Sequence, residues 1–104
     1  MLKNEKAGAI IDLQEAIKLT TAFRTDNPTG VKAFLIDANL VRKVLDQEGC
    51  VGIRIYNGYD KISNQPSPVI VGVTVDNEDM TAGIMLDRAY CCPPHHPQNS
   101  VLQE

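Results

Sequence analysis

The segment Cys91–His96 concentrates more strong metal ligands than any other part of the chain. It reads Cys-Cys-Pro-Pro-His-His, and three residues separate Cys92 from His96. Zinc favours four Cys or His ligands, usually supplied as two separated pairs. Cys92 and His96 could therefore share an ion only if Cys50 or a second chain completed the site. The sequence predicts no resident cofactor and an irregular tail, with zinc bound by Cys92 and His96 as the alternative.

Other arrangements that support catalysis are weak or missing. Cys92 beside His95 has the composition of a thiol–base pair, but a proline-rich segment is a poor scaffold for a pocket. The acidic turn Asp76–Asp79 lacks the spacing and the glycine of an EF-hand loop. The chain contains no serine-nucleophile motif, phosphate-binding glycine loop, dinucleotide fingerprint or paired-carboxylate arrangement. These observations favour a protein that is not an enzyme.

Arg54 is the charged residue whose position invites a binding role. It lies between Gly52 and Tyr56 in a segment that alternates like a strand. A planar guanidinium next to a position without a side chain suits an anionic ligand or the carboxylate of a partner. The structural alternative is an internal salt bridge to a nearby acid such as Asp87.

Composition limits the class of protein. The 104 residues suffice for one domain, 1–104, with a lead-in over 1–10 and an irregular proline-rich tail over 91–104. A net charge of -3 gives no electrostatic reason to bind nucleic acid. No apolar run approaches the roughly 20 residues that a membrane span needs. Three cysteines are an odd number, with two of them adjacent, so we expect a reducing cytoplasm rather than a disulfide framework.

The pattern along the chain predicts an α+β fold. Asp12 and Glu15 form a capping box that starts a helix over 13–25, and Asp37 caps a second helix that stops before Gly49. The segment 32–36 is predicted as a strand; alternatively it merges with the second helix over about 31–48. Further strands are predicted over 50–56, 69–75 and 80–87. The expected architecture is a two-layer sandwich ordered α-β-α-β-β-β, mostly antiparallel, with the helices on one face.

A four-residue turn, in which Asn77 is expected to take a positive φ, sets the register of the predicted hairpin. Val75 then lies opposite Met80 and Val71 opposite Ile84, which places four valines and their partners on one face beneath the helices. The opposite face, which we call the glycine face, carries the residues predicted to bind a ligand or partner: Gly52, Arg54, Tyr56, Ile70, Gly72, Gly83 and Met85.

The sequence is compatible with three interpretations of the glycine face. It is a solvated face, it is covered by the tail or lead-in, or it docks a second copy or another partner. Glycine within a strand costs roughly 0.5–1 kcal/mol relative to alanine, and strands keep it where something must approach closely. We therefore expect a non-enzymatic interaction module that forms a homodimer or binds a protein partner through this face. The alternative is a protein that binds a small anionic ligand or a metal near Arg54 and the tail.

Several strings resemble a family of short, uncharacterised bacterial proteins. They are Phe23-Arg24 with Asn27-Pro28, Gln47 to Tyr56, Val71-Gly72-Val73 with Asp79-Met80, and Cys92-Pro93-Pro94. The resemblance spans about residues 20 to 96. Two positions depart from the family's pattern, His96 standing where it has Cys and Asn77 where it has Gly. The resemblance implies a conserved folding unit and no particular function.

Overall fold

The computed structural model describes residues 7–94 and 97–102. The chain divides into two compact units, one over residues 36–89 and the other over residues 8–35 together with 90–102. Each helix and each strand pair of the described residues lies within a single unit, and all the strand pairs are antiparallel. The predicted α+β class is therefore confirmed.

The elements, in chain order, are α1 (Leu13–Asp26), β1 (Ala33–Leu35), α2 (Ala38–Leu45), β2 (Gly52–Tyr56), β3 (Tyr59–Asp60), β4 (Gln65–Pro66), β5 (Val69–Val73), β6 (Met85–Leu86) and β7 (Tyr90–Cys92). The six predicted elements appear in the predicted order as α1, β1, α2, β2, β5 and β6. The structure adds a short β3–β4 hairpin within the predicted loop, and β7 at the start of the predicted tail. In the described part of the chain, neither helix combines the length and apolarity needed to cross a bilayer.

The unit that contains α1 is built from two distant parts of the sequence. Asp12 caps α1, its carboxylate accepting a hydrogen bond from the backbone N–H of Glu15 at 2.8 Å, as the capping box predicts. β1 pairs with β7, Ala33 lying opposite Cys92 and Leu35 opposite Tyr90. The alternative of one long helix over 31–48 is therefore wrong.

The tail differs from the prediction at its beginning. Cys91 and Cys92 were expected in an irregular segment, but they belong to β7 and are buried. Pro93 and Pro94 prevent a longer strand, because proline lacks the N–H that a strand needs. The short strand was not predicted, because the pattern before these prolines is too brief to show alternation. Beyond Cys92, the described residues contain no helix or strand.

The core of the other unit lies between α2 and β5. Asp37 caps α2 by accepting a hydrogen bond from the N–H of Asn39. Val44 packs against Ile70 and Leu86, with Ile36 and Val41 beside them. α2 therefore covers the side of β5 that carries Ile70, whereas the sequence placed the helices over the odd-numbered valines.

The hairpin register also differs from the prediction. The turn forms as expected, with Asn77 at φ 69°. Val73 bridges to Asp79, but Val71 then lies opposite Met85 and Ile70 opposite Leu86. The predicted pairing of Val71 with Ile84 is wrong by one residue, because Met80–Ile84 loops out between the two paired stretches. A shift of one residue moves every side chain to the other side of the sheet.

Candidate functional site at strand β2

The three-stranded sheet, ordered β2-β5-β6, has two sides that its register defines. Side chains directly opposite one another on neighbouring strands point to the same side. Ile53 lies opposite Gly72 and Ile55 opposite Ile70, on the side that α2 covers, which we call the helix side. Arg54 lies opposite Val71, on the side that we call the arginine side.

The predicted glycine face is therefore not one surface. Gly52, Arg54, Tyr56 and Met85 belong to the arginine side, and Ile70 and Gly72 belong to the helix side. Gly83 lies in the looped-out segment. Two differences separate the seven residues: β2 pairs with β5 so that Arg54 shares a side with Val71 rather than with Gly72, and the hairpin is shifted by one residue. The predicted single binding face is therefore wrong.

Gly72 has an internal reason to lack a side chain. A Cβ built on Gly72 would lie 3.0 Å from Cys50 Sγ, 3.1 Å from Gln47 Nε2 and 3.1 Å from Met80 Sδ. Real Cβ atoms rarely approach other atoms so closely, because the protein interior is already close-packed. The absence of a side chain at this position therefore serves packing within the chain.

Gln47 accounts for Gly83 as well, and sequence reasoning missed this residue. A Cβ on Gly83 would collide with Gln47 Oε1. The same oxygen accepts a hydrogen bond from the Ile84 N–H at 2.7 Å, while Gln47 Nε2 donates to the Val44 carbonyl at 2.9 Å. The Gln47 side chain thus joins the end of α2 to the looped-out segment, across two glycines. The only feature of the sequence that could have indicated this role is an uncharged amide side chain just after a helix.

Gly52 differs from these two glycines. A Cβ at this position would meet nothing within 4 Å, and its φ is not in the left-handed region. Within the described residues, no contact and no backbone constraint therefore explains why a strand keeps glycine there. Glycine weakens a strand by roughly 0.5–1 kcal/mol relative to alanine.

Arg54 is engaged by the turn of the hairpin. Its Nη1 forms a salt bridge with Asp79 Oδ1, and its Nη2 donates to Asn77 Oδ1. The Tyr56 hydroxyl donates to the other carboxylate oxygen of Asp79. The expected internal salt bridge is thus present, but its acid is Asp79 rather than Asp87. The sequence did not connect Asp79 with Arg54, because the looped-out segment that brings them together has no periodic signal.

The Arg54–Asp79 salt bridge passes over β5. Arg54 is on β2 and Asp79 bridges to β5 from its other edge, so the joined side chains cross the middle strand. Adjacent strands are about 4.8 Å apart, so the arginine and aspartate side chains together span two such spacings. Val71 and Val73 on this side are only 2% exposed. The aliphatic stem of Arg54 covers apolar surface there while its charged end remains paired.

The contacts in this cluster shift three pKa values. The hydrogen bond from Tyr56, followed by the contacts with Arg54, lowers the pKa of Asp79 below its ordinary value. The same hydrogen bond raises the pKa of Tyr56, because its neutral hydroxyl is the donor that Asp79 accepts. The hydrogen bond with Asp79 likewise raises the pKa of Arg54. Each shift favours the protonation states that hold the cluster together.

The predicted metal site is only partly within the described structure. Cys92 is buried in β7, and His96 lies outside the described residues. Cys50 is half-buried in the other unit, where its thiol donates to the Gly52 carbonyl at 3.2 Å. Among residues 7–94 and 97–102, no three His, Cys, Asp or Glu side chains are grouped so that they could hold a metal ion.

No protein-family model matches this chain, and no curated protein or solved structure is significantly similar to it. These comparisons therefore indicate no function for the protein.

The Gln47 contacts lead to a stability prediction. Gln47→Leu keeps much of the side-chain volume but leaves the Ile84 N–H without its acceptor, so we expect the free energy of unfolding to fall by about 1–3 kcal/mol. Urea denaturation measures the change. Glu48→Leu, at the exposed neighbouring position, is the control and should change stability by less than about 0.5 kcal/mol. Equal effects of the two substitutions would contradict the assigned role.

A second prediction concerns acid stability. Because folding lowers the pKa of Asp79, its contribution is present above the unfolded pKa of about 3.9 and is lost as the pH falls through the folded value. Asp79→Asn should therefore lower stability near neutral pH, and its difference from wild type should shrink on acidification. Urea unfolding at several pH values tests this, with Asp76→Asn as the control from the same turn. Parallel pH profiles for wild type and Asp79→Asn would show that Asp79 does not contribute in this way.

Proposed function

We propose that this protein is a non-enzymatic interaction module that forms a homodimer through strand β2. The observation that carries the proposal is the exposure of an apolar row on an edge strand. Within the described residues β2 pairs with β5 alone. Along β2 and the residue before it, Val51 is 55%, Ile53 42% and Ile55 61% exposed. Burying such a row would stabilise an assembly by roughly 25 cal/mol for each Å² of apolar surface removed from water.

β2 also lacks the features that usually protect an edge strand from pairing. Natural edges are often blocked by proline, by a bulge or by a charged side chain, lysine above all. β2 contains no proline, and its single charged residue is Arg54. That charge is held by Asp79 and Asn77 on the arginine side. The features that would discourage a second strand from adding to this edge are therefore weak.

A second copy is the occupant that fits this edge best. If a twofold axis passes through Ile53, antiparallel pairing places Val51 opposite Ile55 of the second copy, so that the apolar row pairs with itself. Gly52 then lies opposite Arg54 of the second copy, and its open position adds no side chain on the arginine side of the paired edges. The two three-stranded sheets would join into one continuous sheet. Twofold dimers with such self-complementary patches are the commonest oligomers.

The contacts of Arg54 support an interaction role over binding of a small anion at this position. Both oxygens of Asp79 accept hydrogen bonds from within the chain, and both terminal nitrogens of Arg54 donate to residues of the turn. An anion at Arg54 would have to compete with a carboxylate that is already in place. We place the proposed interaction in the cytoplasm because of the odd number of cysteines, and without nucleic acid because the net charge is -3.

Analytical ultracentrifugation tests the proposal. We expect wild type to sediment as a dimer at micromolar concentration and Ile53→Asp as a monomer, because two carboxylates would meet at the twofold axis without counterions. Circular dichroism of each variant separates loss of association from loss of the fold.

Ile62→Asp is the matched control, since Ile62 is 96% exposed and lies outside β2. It should sediment as wild type does. A wild-type monomer over the micromolar range would overturn the proposal, as would a folded Ile53→Asp variant that remains a dimer.

A further inference from the structure

A pocket in the unit that contains α1 brings two cations together with apolar walls. Its volume is about 320 Å³, and it lies between one side of α1, the start of β1 and the segment around Leu102. Leu19 and Phe23 supply apolar wall from α1, while Arg24 and Lys32 also line the pocket. This pocket belongs to the other unit from β2, and the inference drawn from it does not depend on the proposed homodimer.

The charge of the pocket differs from that of the protein. The whole chain carries a net charge of -3, yet the charged residues that line this pocket are Arg24 and Lys32, both cationic. Within the described residues neither cation forms a salt bridge, since the single ion pair found there is between Arg54 and Asp79. Two cations beside one cavity raise the local concentration of anions and favour an anionic ligand.

The cations are held in place by neutral acceptors. Arg24 Nη1 donates to the Leu102 carbonyl and its Nη2 to Thr21 Oγ1 at 3.2 Å. Lys32 Nζ donates to the Gly30 carbonyl at 2.9 Å. These bonds orient both side chains without neutralising them, because a carbonyl and a hydroxyl carry no net charge. Each group retains further N–H donors that a carboxylate could accept.

The apolar walls define the other half of the ligand. Leu19 is 55% and Phe23 48% exposed, so both side chains still have surface that a ligand could remove from water. Leu102 adds apolar surface from the opposite part of the pocket. The volume lies at the lower end of the range of about 300–1,000 Å³ that is usual for ligand pockets, which favours a molecule smaller than a typical drug.

We propose that this pocket binds a small amphipathic carboxylate, an organic acid with an aromatic or branched aliphatic body. The carboxylate contacts Lys32 and Arg24, and the apolar body packs against Phe23, Leu19 and Leu102. An inorganic anion would leave the apolar walls in water, and a neutral apolar molecule would leave both cations without a counter-charge. The combination therefore selects for a ligand that carries both groups.

Phenylacetate is the probe for the test, with phenylacetamide as its neutral counterpart and acetate and inorganic phosphate as anions without the aromatic body. Binding to the full chain is measured by NMR titration of backbone amides. We expect phenylacetate to bind about tenfold more tightly than phenylacetamide, from its charge-assisted hydrogen bonds, and more tightly than acetate or phosphate. The shifted amides should belong to α1, the residues around Lys32 and those around Leu102.

Lys32→Gln is the principal variant, because the ammonium group bonds only a neighbouring carbonyl within the described residues and its loss should leave the fold intact. It should weaken phenylacetate binding several-fold, with little effect on phenylacetamide. Lys43→Gln, on α2 in the other unit, is the control and should bind as wild type. Equal affinity for acid and amide, equal affinity for phosphate and phenylacetate, absence of binding, or an unchanged affinity in Lys32→Gln would each overturn the proposal.

Discussion

The Gln47 side chain holds the unit over residues 36–89 in its register. It donates to the last turn of α2 and accepts from the Ile84 N–H. Its amide occupies the space that side chains at Gly72 and Gly83 would fill. The Met80 N–H still donates to the Gly72 carbonyl at 2.8 Å, but the residues after it leave the sheet, and the Gln47 side chain supplies the acceptor for the Ile84 N–H at the end of that segment. The position of Asp79, and with it the pairing of Arg54, follows from where that loop is held.

Different interactions cover the two sides of the three-stranded sheet. On the helix side, Val44 packs on Ile70 and Leu86, which is ordinary apolar burial. On the arginine side, the Arg54–Asp79 salt bridge crosses the middle strand above Val71 and Val73. An ion pair can serve as a cover in this way because arginine presents a long aliphatic stem below its charged group. A small sheet with only one helix of its own unit against it thereby shields both faces of β5, while β2 at the edge keeps its apolar row exposed.

Local signals predicted the elements well, but not how they pair. The capping residues Asp12 and Asp37 start the helices where the sequence places them, and Asn77 takes the expected positive φ. These features depend on a few neighbouring residues, and local patterns capture them. The register of β5 against β6 depends instead on how many residues loop out before Met85. The alternation of side chains in the sequence does not show where a strand is interrupted. The register of β2 against β5, which no local pattern records, separates the residues of the predicted binding face as well, and Gly72 and Gly83 are explained only once the contacts of Gln47 are known.

The pairing of β1 with β7 has a consequence for synthesis on the ribosome. Residues 36–89 form a continuous stretch, so that unit can assemble from sequence that emerges together. Ala33–Leu35 emerges much earlier than Tyr90–Cys92, its partner in the described structure. Closing a loop of that length has an entropic cost that grows only slowly with the number of residues, but the partner strand must exist before any contact can form. The nascent chain therefore holds the backbone N–H and C=O groups of Ala33–Leu35 without their partner strand while the intervening unit folds, and during that interval they form an open edge to which another extended segment could add.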